Sequence, residues 1–136
     1  MSYDISLYSR DFLKRAIESS LGDWTAADPI PASVIESIVS TAEQQGFARE
    51  VVDGDFAAFC RQDGFEPGIE FTANTPTLLA QLSVFPGQVA FSIPYGDRAA
   101  ASADFCVRFA RYLATTHDLG FHDPQEGEAL YERTVA

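Results

Sequence analysis

The chain has 136 residues, 46% of them hydrophobic and 21% charged, a profile that excludes a disordered chain and supplies enough apolar mass for one core. Twenty Asp and Glu against nine Lys and Arg give a formal net charge of -11, which argues against direct nucleic-acid binding and disfavours an anionic membrane surface, because both require a basic patch. The apolar runs fall far short of the roughly 20 residues that span a bilayer, and the opening Met1-Ser2-Tyr3-Asp4 has no basic region followed by an apolar one, so a cytoplasmic single domain over residues 1–136 is expected.

Residues 2–8 alternate. Tyr3, Ile5 and Leu7 point one way, and Ser2, Asp4, Ser6 and Tyr8 the other, which predicts a first strand. Ser9 or Asp11 then caps a helix reaching about residue 20, with Phe12, Leu13, Ala16 and Ile17 as its apolar stripe and Gly22 as its end. The stretch 22–31, with Trp24, Asp28, Pro29 and Pro31, reads as a loop. Ser33 and Glu36 match a capping box for a second helix, in which Val34, Ile35, Ile38, Val39 and Ala42 share a face and Gly46 follows the end. A short strand at 49–53, a short helix at 56–62 capped by Asp55 and a strand at 69–73 come next.

The runs 78–85 and 88–95, joined by Pro86-Gly87, carry the clearest pattern. Leu78, Ala80, Leu82 and Val84 share a face with period two, and so do Val89, Phe91, Ile93 and Tyr95. This predicts an antiparallel hairpin with one apolar face and one mixed face. Asp97 is placed to cap a third helix over 98–116, whose core stripe is Phe105, Cys106, Phe109, Ala110 and Leu113, with Gly120 closing it. Two short strands, 119–123 and 128–131, flank Pro124-Gln125-Glu126-Gly127. The sum is an α+β fold: a two-layer sandwich whose mostly antiparallel sheet has the helices on one face, with Gln81, Ser83, Gln88 and Ser92 on the other.

Chemistry-bearing patterns are few. Both histidines lie in His117-Asp118-Leu119-Gly120-Phe121-His122-Asp123, where a small hydrolase or metal-dependent enzyme would be centred. Their spacing is not that of a helical metal pair, and Asp4 or Asp123 would have to complete a ligand set. At the end of its helix, His117 is expected to favour the charged imidazolium. Asp53-Gly54-Asp55 begins like a calcium loop, but position 12 is Gly64 rather than glutamate. There is no Gly-x-Ser-x-Gly elbow and no glycine-rich phosphate loop. Cys60 and Cys106 sit in apolar stripes and read as buried thiols. No catalytic residue, metal or cofactor is therefore assigned. Trp24 plugs the core in one reading and lines a small-ligand pocket between its loop and the sheet in another.

Three segments carry a family resemblance: the opening Met1-Ser2-Tyr3-Asp4-Ile5, the hairpin sequence around Leu82–Phe85 and Val89–Tyr95, and Leu119-Gly120-Phe121-His122-Asp123-Pro124-Gln125. They resemble small, largely uncharacterised bacterial α/β proteins in which a first strand beginning SYD and a late DPQ turn bracket the domain. Some proteins of this appearance accompany toxin systems as immunity proteins. The resemblance implies a protein-binding role and transfers no catalytic residue. Charge leads the same way: the surplus carboxylates concentrate in residues 50–70 and 118–132, and complementary fields speed encounter with a partner of opposite sign. The expectation is a non-enzymatic domain that meets a basic protein through Asp53, Asp55, Glu66, Glu70, Gln81 and Ser83.

Overall fold

The computed structural model describes residues 2–21, 24, 27–50, 55, 58, 61, 62 and 68–131. Its regular elements, in chain order, are β1 (Ser2–Ser9), α1 (Arg10–Glu18), α2 (Ala32–Gln44), β2 (Ala48–Arg49), β3 (Ile69–Asn74), β4 (Leu79–Phe85), β5 (Gln88–Pro94), α3 (Ala99–His117), β6 (Leu119–Asp123) and β7 (Glu128–Leu130). The seven strands form one antiparallel sheet in the order β2-β3-β4-β5-β1-β6-β7. The first strand of the chain is thus an interior strand, gripped by β5 on one side and β6 on the other.

Alternation on the strands sets the two faces. Ile5, Leu7, Phe71, Ala80, Leu82, Val84, Val89, Phe91, Ile93 and Phe121 turn to one side and are all buried. There they meet Ile38 and Ala42 of α2 and Cys106, Phe109, Ala110 and Leu113 of α3. Rings of Phe47, Phe91 and Phe109 interlock at the centre, with centroids 5.8 to 6.2 Å apart, so flat side chains fill the layer in the offset and edge-on geometries that suit their quadrupoles. The expected α+β sandwich is present, with one addition. Tyr8 points to the opposite face from Leu7 and joins Phe12, Leu13 and Ala16 of α1 in a second, smaller cluster. Helix α1 therefore packs on the other side of the sheet, over its β1–β6 end. Gly120 makes this possible: it pairs with Tyr8, and a Cβ there would lie 2.7 Å from Leu13 Cδ2.

The chain passes from the α1 side to the α2 side around the β4–β5 turn. Ile30 N–H donates to the Pro86 carbonyl at 2.7 Å, and a Cβ on Gly87 would lie 2.8 Å from the Ala27 carbonyl oxygen. Glycine is needed at this turn for backbone to cross backbone.

Several helix ends differ from the sequence expectation. Ser9 does cap α1, accepting from Phe12 N–H at 3.2 Å. Helix α2, however, starts at Ala32, and neither Ser33 nor Glu36 forms a capping box. Pro31 takes the cap position with φ -54, and its carbonyl accepts from Val34 and Ile35; the ring presets the dihedral that a capping side chain would otherwise have to enforce. Asp97 does not cap α3. The cap residue is Arg98, without a side-chain cap bond, and its guanidinium instead holds Asn74 Oδ1 and the Thr75 carbonyl, each at 2.7 Å. Gly120 does not close α3 either; Asp118 does so in the left-handed conformation (φ 58, ψ 47), which Asp tolerates better than most residues. Ile17 and Tyr95 are exposed rather than facing the core, Tyr95 because β5 ends at Pro94. Asp55, Ala58, Arg61 and Gln62 have helical backbone. Phe56, Phe59 and Cys60 lie outside the described residues, as do 51–53 of the strand expected there.

The late Asp-Pro-Gln turn holds the N-terminal strand. Asp123 is 2% exposed and points to the core side, where Tyr3 Oη donates to its Oδ2 at 2.5 Å. Its Oδ1 accepts from Gln125 Nε2 at 2.9 Å and Glu126 N–H at 3.3 Å. A buried carboxylate is costly unless its lone pairs are occupied, and three donors occupy them here. Burial, reinforced by that carboxylate, raises the Tyr3 pKa, so the phenol stays a donor.

Gly120→Ala is expected to push Leu13, and with it α1, off the sheet, at a cost of about 1–3 kcal/mol. Urea denaturation read by the single Trp24 measures it; unchanged stability would mean that α1 has room to move.

Candidate functional site

The face of the sheet turned away from α2 and α3 is the surface on which the expected site residues meet. On β3, Glu70 lies directly opposite Ser83, and Thr72 opposite Gln81. One strand further, Ser83 pairs with Ala90 and Gln81 with Ser92; on β1, Asp4 pairs with Ser92 and Ser6 with Ala90. Because directly paired residues share a face, these side chains form a grid: Glu70, Ser83, Ala90, Ser6 in one row and Thr72, Gln81, Ser92, Asp4 in the next. Glu70, Gln81 and Ser83 are thus brought together. Asp55 is exposed on helical backbone; Asp53 and Glu66 lie outside the described residues.

Two residues that the site expectation omitted also belong to this surface. Asp4 brings a second carboxylate to the β1 end, its oxygens each 3.0 Å from Ser2 Oγ. Glu50 extends the β2 pairing by donating its N–H to the Glu70 carbonyl at 2.8 Å, which sets the two glutamates opposite each other. Alternation over residues 2–8 already put Asp4 on the polar side of its strand; that it stands beside β5 follows only from strand order.

Hydroxyls and amides hold the grid in place. Ser83 Oγ donates to Glu70 Oε2 at 2.5 Å, and Thr72 Oγ1 donates to Glu50. Gln88 Nε2 bridges Ser6 Oγ and Tyr8 Oη, 3.0 Å from each. No lysine or arginine occurs on β1, β3, β4 or β5. Four arginines pair with carboxylates elsewhere, Arg10 with Asp118, Arg15 with Asp28, Arg108 with Asp104 and Arg111 with Glu128, and Arg98 reaches Asn74 at the end of β3. Arg49 on β2 lies over the Phe71 ring, on the core side. Glu50 and Glu70 form no ion pair among the described residues; the Glu50 carboxylate turns to Thr72 on β3 and that of Glu70 to Ser83 on β4.

The histidine segment does not converge. His122 and Asp123 are neighbours on one strand and project to opposite faces: His122 pairs with Ser6 on the outer side, while Asp123 is buried against Tyr3. His117 belongs to the helix layer on the core side. Among the described residues there is no group of three or more His, Cys, Asp or Glu placed to hold a metal ion. Trp24 stacks on His122 with centroids 4.9 Å apart and an interplanar angle of 21° and meets Tyr8 and Phe12 edge-on. Its indole N–H donates to the Leu21 carbonyl at 2.9 Å. Burial lowers the pKa of both histidines, against the field of Asp123 in the case of His122. The expected imidazolium at the end of α3 is therefore not favoured: loss of hydration at His117 outweighs the helix dipole. Burial also pushes the Cys106 thiol up to about 12, leaving a free but unreactive group.

Two grooves lie on the helices. One, of about 280 Å³, is lined by Gln45, Phe105, Arg108, Phe109 and Tyr112; the other, of about 430 Å³, by Glu36, Val39, Ser40, Glu43 and Gln44. Neither lining includes a histidine or a cysteine. No helix is long and apolar enough to cross a membrane among the described residues. Comparison with family models, with curated proteins and with solved structures returns no match to this chain.

A histidine whose pKa is depressed on folding makes the native state bind fewer protons than the unfolded chain. Its contribution is complete above the unfolded value near 6.5 and is lost as pH falls below it. His122→Asn should therefore flatten the decline in stability on acidification from pH 7 to 5, read by urea midpoints at each pH. An undiminished slope would assign the decline to other groups.

Proposed function

We propose that this chain is a non-enzymatic protein-binding domain that receives a basic partner on its outer sheet face. The observation that carries the reading is the composition of that face: Asp4 and Glu70 among serine, threonine, alanine and glutamine on strands β1, β3, β4 and β5, which bear no lysine or arginine, with Glu50 beside Glu70 at the end of β2. Short side chains keep the surface flat enough for a broad contact, and their hydroxyls and amides can exchange partners with an incoming backbone. A guanidinium or ammonium beside Glu50 and Glu70 would find two counter-charges on this face, and its binding would stabilise the fold by mass action. The immunity-type role, in which the basic partner is a toxin, is the specific form of this reading that the family resemblance implies.

The test is capture from the native organism by the wild-type domain and by a Glu70→Lys/Gln81→Lys variant. Capture by the wild type should select basic proteins and weaken as salt rises. The double variant should lose about tenfold or more in affinity for the same protein, mainly through slower association. Equal capture by both forms would place the contact elsewhere.

A further inference from the structure

We infer that the Gln125 carboxamide guards the edge of β1: it fills the backbone hydrogen-bonding position at Asp4 that the β1 strand of a second copy would otherwise take. The inference concerns an edge of the sheet and stands apart from the proposed use of its face.

Strand β6 covers β1 only as far as the Ser6–His122 pair. Successive residues of a strand send their N–H and C=O to alternate neighbours, so Ser2 and Asp4 aim theirs at the same side as Ser6, beyond the end of β6. Continued by two residues, the register sets Pro124 opposite Asp4, and proline has no N–H to give. The side chain of Gln125 supplies what is missing. Its Oε1 accepts from Asp4 N–H at 2.7 Å, and its Nε2 donates to the Asp4 carbonyl at 2.6 Å. A primary amide can thus act as a detached peptide group. Its orientation is fixed by chemistry, since Nε2 also donates to Asp123 Oδ1 at 2.9 Å; a flipped amide would set NH₂ against N–H. Asp123, buried and tied to Tyr3, anchors the arrangement.

The exposed stretch is self-complementary, which identifies the excluded occupant. A two-fold axis through Tyr3 would pair Ser2 of one copy with Asp4 of the other, twice, both residues facing the shared edge. Each Asp4 carboxylate would then meet the partner's seryl group rather than a second carboxylate. Within one chain Ser2 Oγ already bonds that carboxylate, so the contact is chemically familiar. The pairing is short, and the association it supports is weak and concentration-dependent.

The experiment combines hydrogen exchange at the Asp4 amide with sedimentation over a wide concentration range, for wild type, Q125A, Q125E and S2P/Q125A. Gln125 is exposed, and its substitution also removes one of the donors to the buried Asp123 carboxylate; Q125E keeps the size of the side chain while replacing that donor with a carboxylate. Wild type should show a protected Asp4 amide and no concentration dependence. In dilute Q125A the Asp4 amide should exchange about tenfold faster, the worth of one hydrogen bond, and sedimentation should rise with concentration; Q125E should shift in the same direction. In S2P/Q125A the fast exchange should remain while self-association disappears, because the Ser2 N–H faces the open edge and serves no bond within the sheet. Unchanged protection in Q125A, absence of self-association in both single variants, or self-association that survives S2P would each overturn the inference.

Discussion

The structure depends on β1 lying inside the sheet. Eight residues at the start of the chain must satisfy β5 on one side, β6 on the other, the main core through Ile5 and Leu7, and the small cluster under α1 through Tyr8. Strict alternation allows it: a slip of one residue would drive Asp4 and Ser6 into the core and lift Ile5 and Leu7 into water. The pairings with β5 and β6 are long-range in sequence, whereas Tyr8 meets Phe12 only one helical turn on. The sheet is complete only when the N-terminal strand and the late Asp-Pro-Gln turn have met, which makes the two ends of the described chain one cooperative unit.

Local periodicity carried most of the secondary structure. The β4–β5 hairpin, the α2 and α3 stripes and the final strand pair lie where apolar spacing predicted them, because each has one buried side and one wet side. Caps were less legible. Ser33 and Asp97 have the right chemistry for a cap, yet Pro31 preset one helix start, and Arg98 was drawn to the β3–β4 turn at the other. Such outcomes turn on about a kilocalorie per mole, less than the packing that positions the chain around them. The placement of α1 opposite the other helices was not legible at all. Its only sequence trace is Gly120, whose missing Cβ reads as a helix end until strand order shows Leu13 above it.

The site was legible in composition and not in arrangement. Glu70, Gln81 and Ser83 converge because each sits at an outward position of a strand. Asp4 joins them only through the β1–β5 pairing, which no local pattern encodes. Conversely, His122 and Asp123 are adjacent in sequence and separated by the thickness of the sheet, so a cluster that looked chemical on paper is divided between a polar surface and a core. Period two separates neighbours as firmly as it gathers residues two apart.

Charge is sorted along with shape. Four arginines of the helices are taken up in surface ion pairs, each worth little on its own, while β1, β3, β4 and β5 hold none. The result is a field of one sign over a flat surface rather than a cleft lined with opposed groups. The edges of the sheet, meanwhile, are short or filled by side-chain amide, so strand addition is closed off. Any contact with the sheet face would therefore be made by side chains rather than by the backbone ladder.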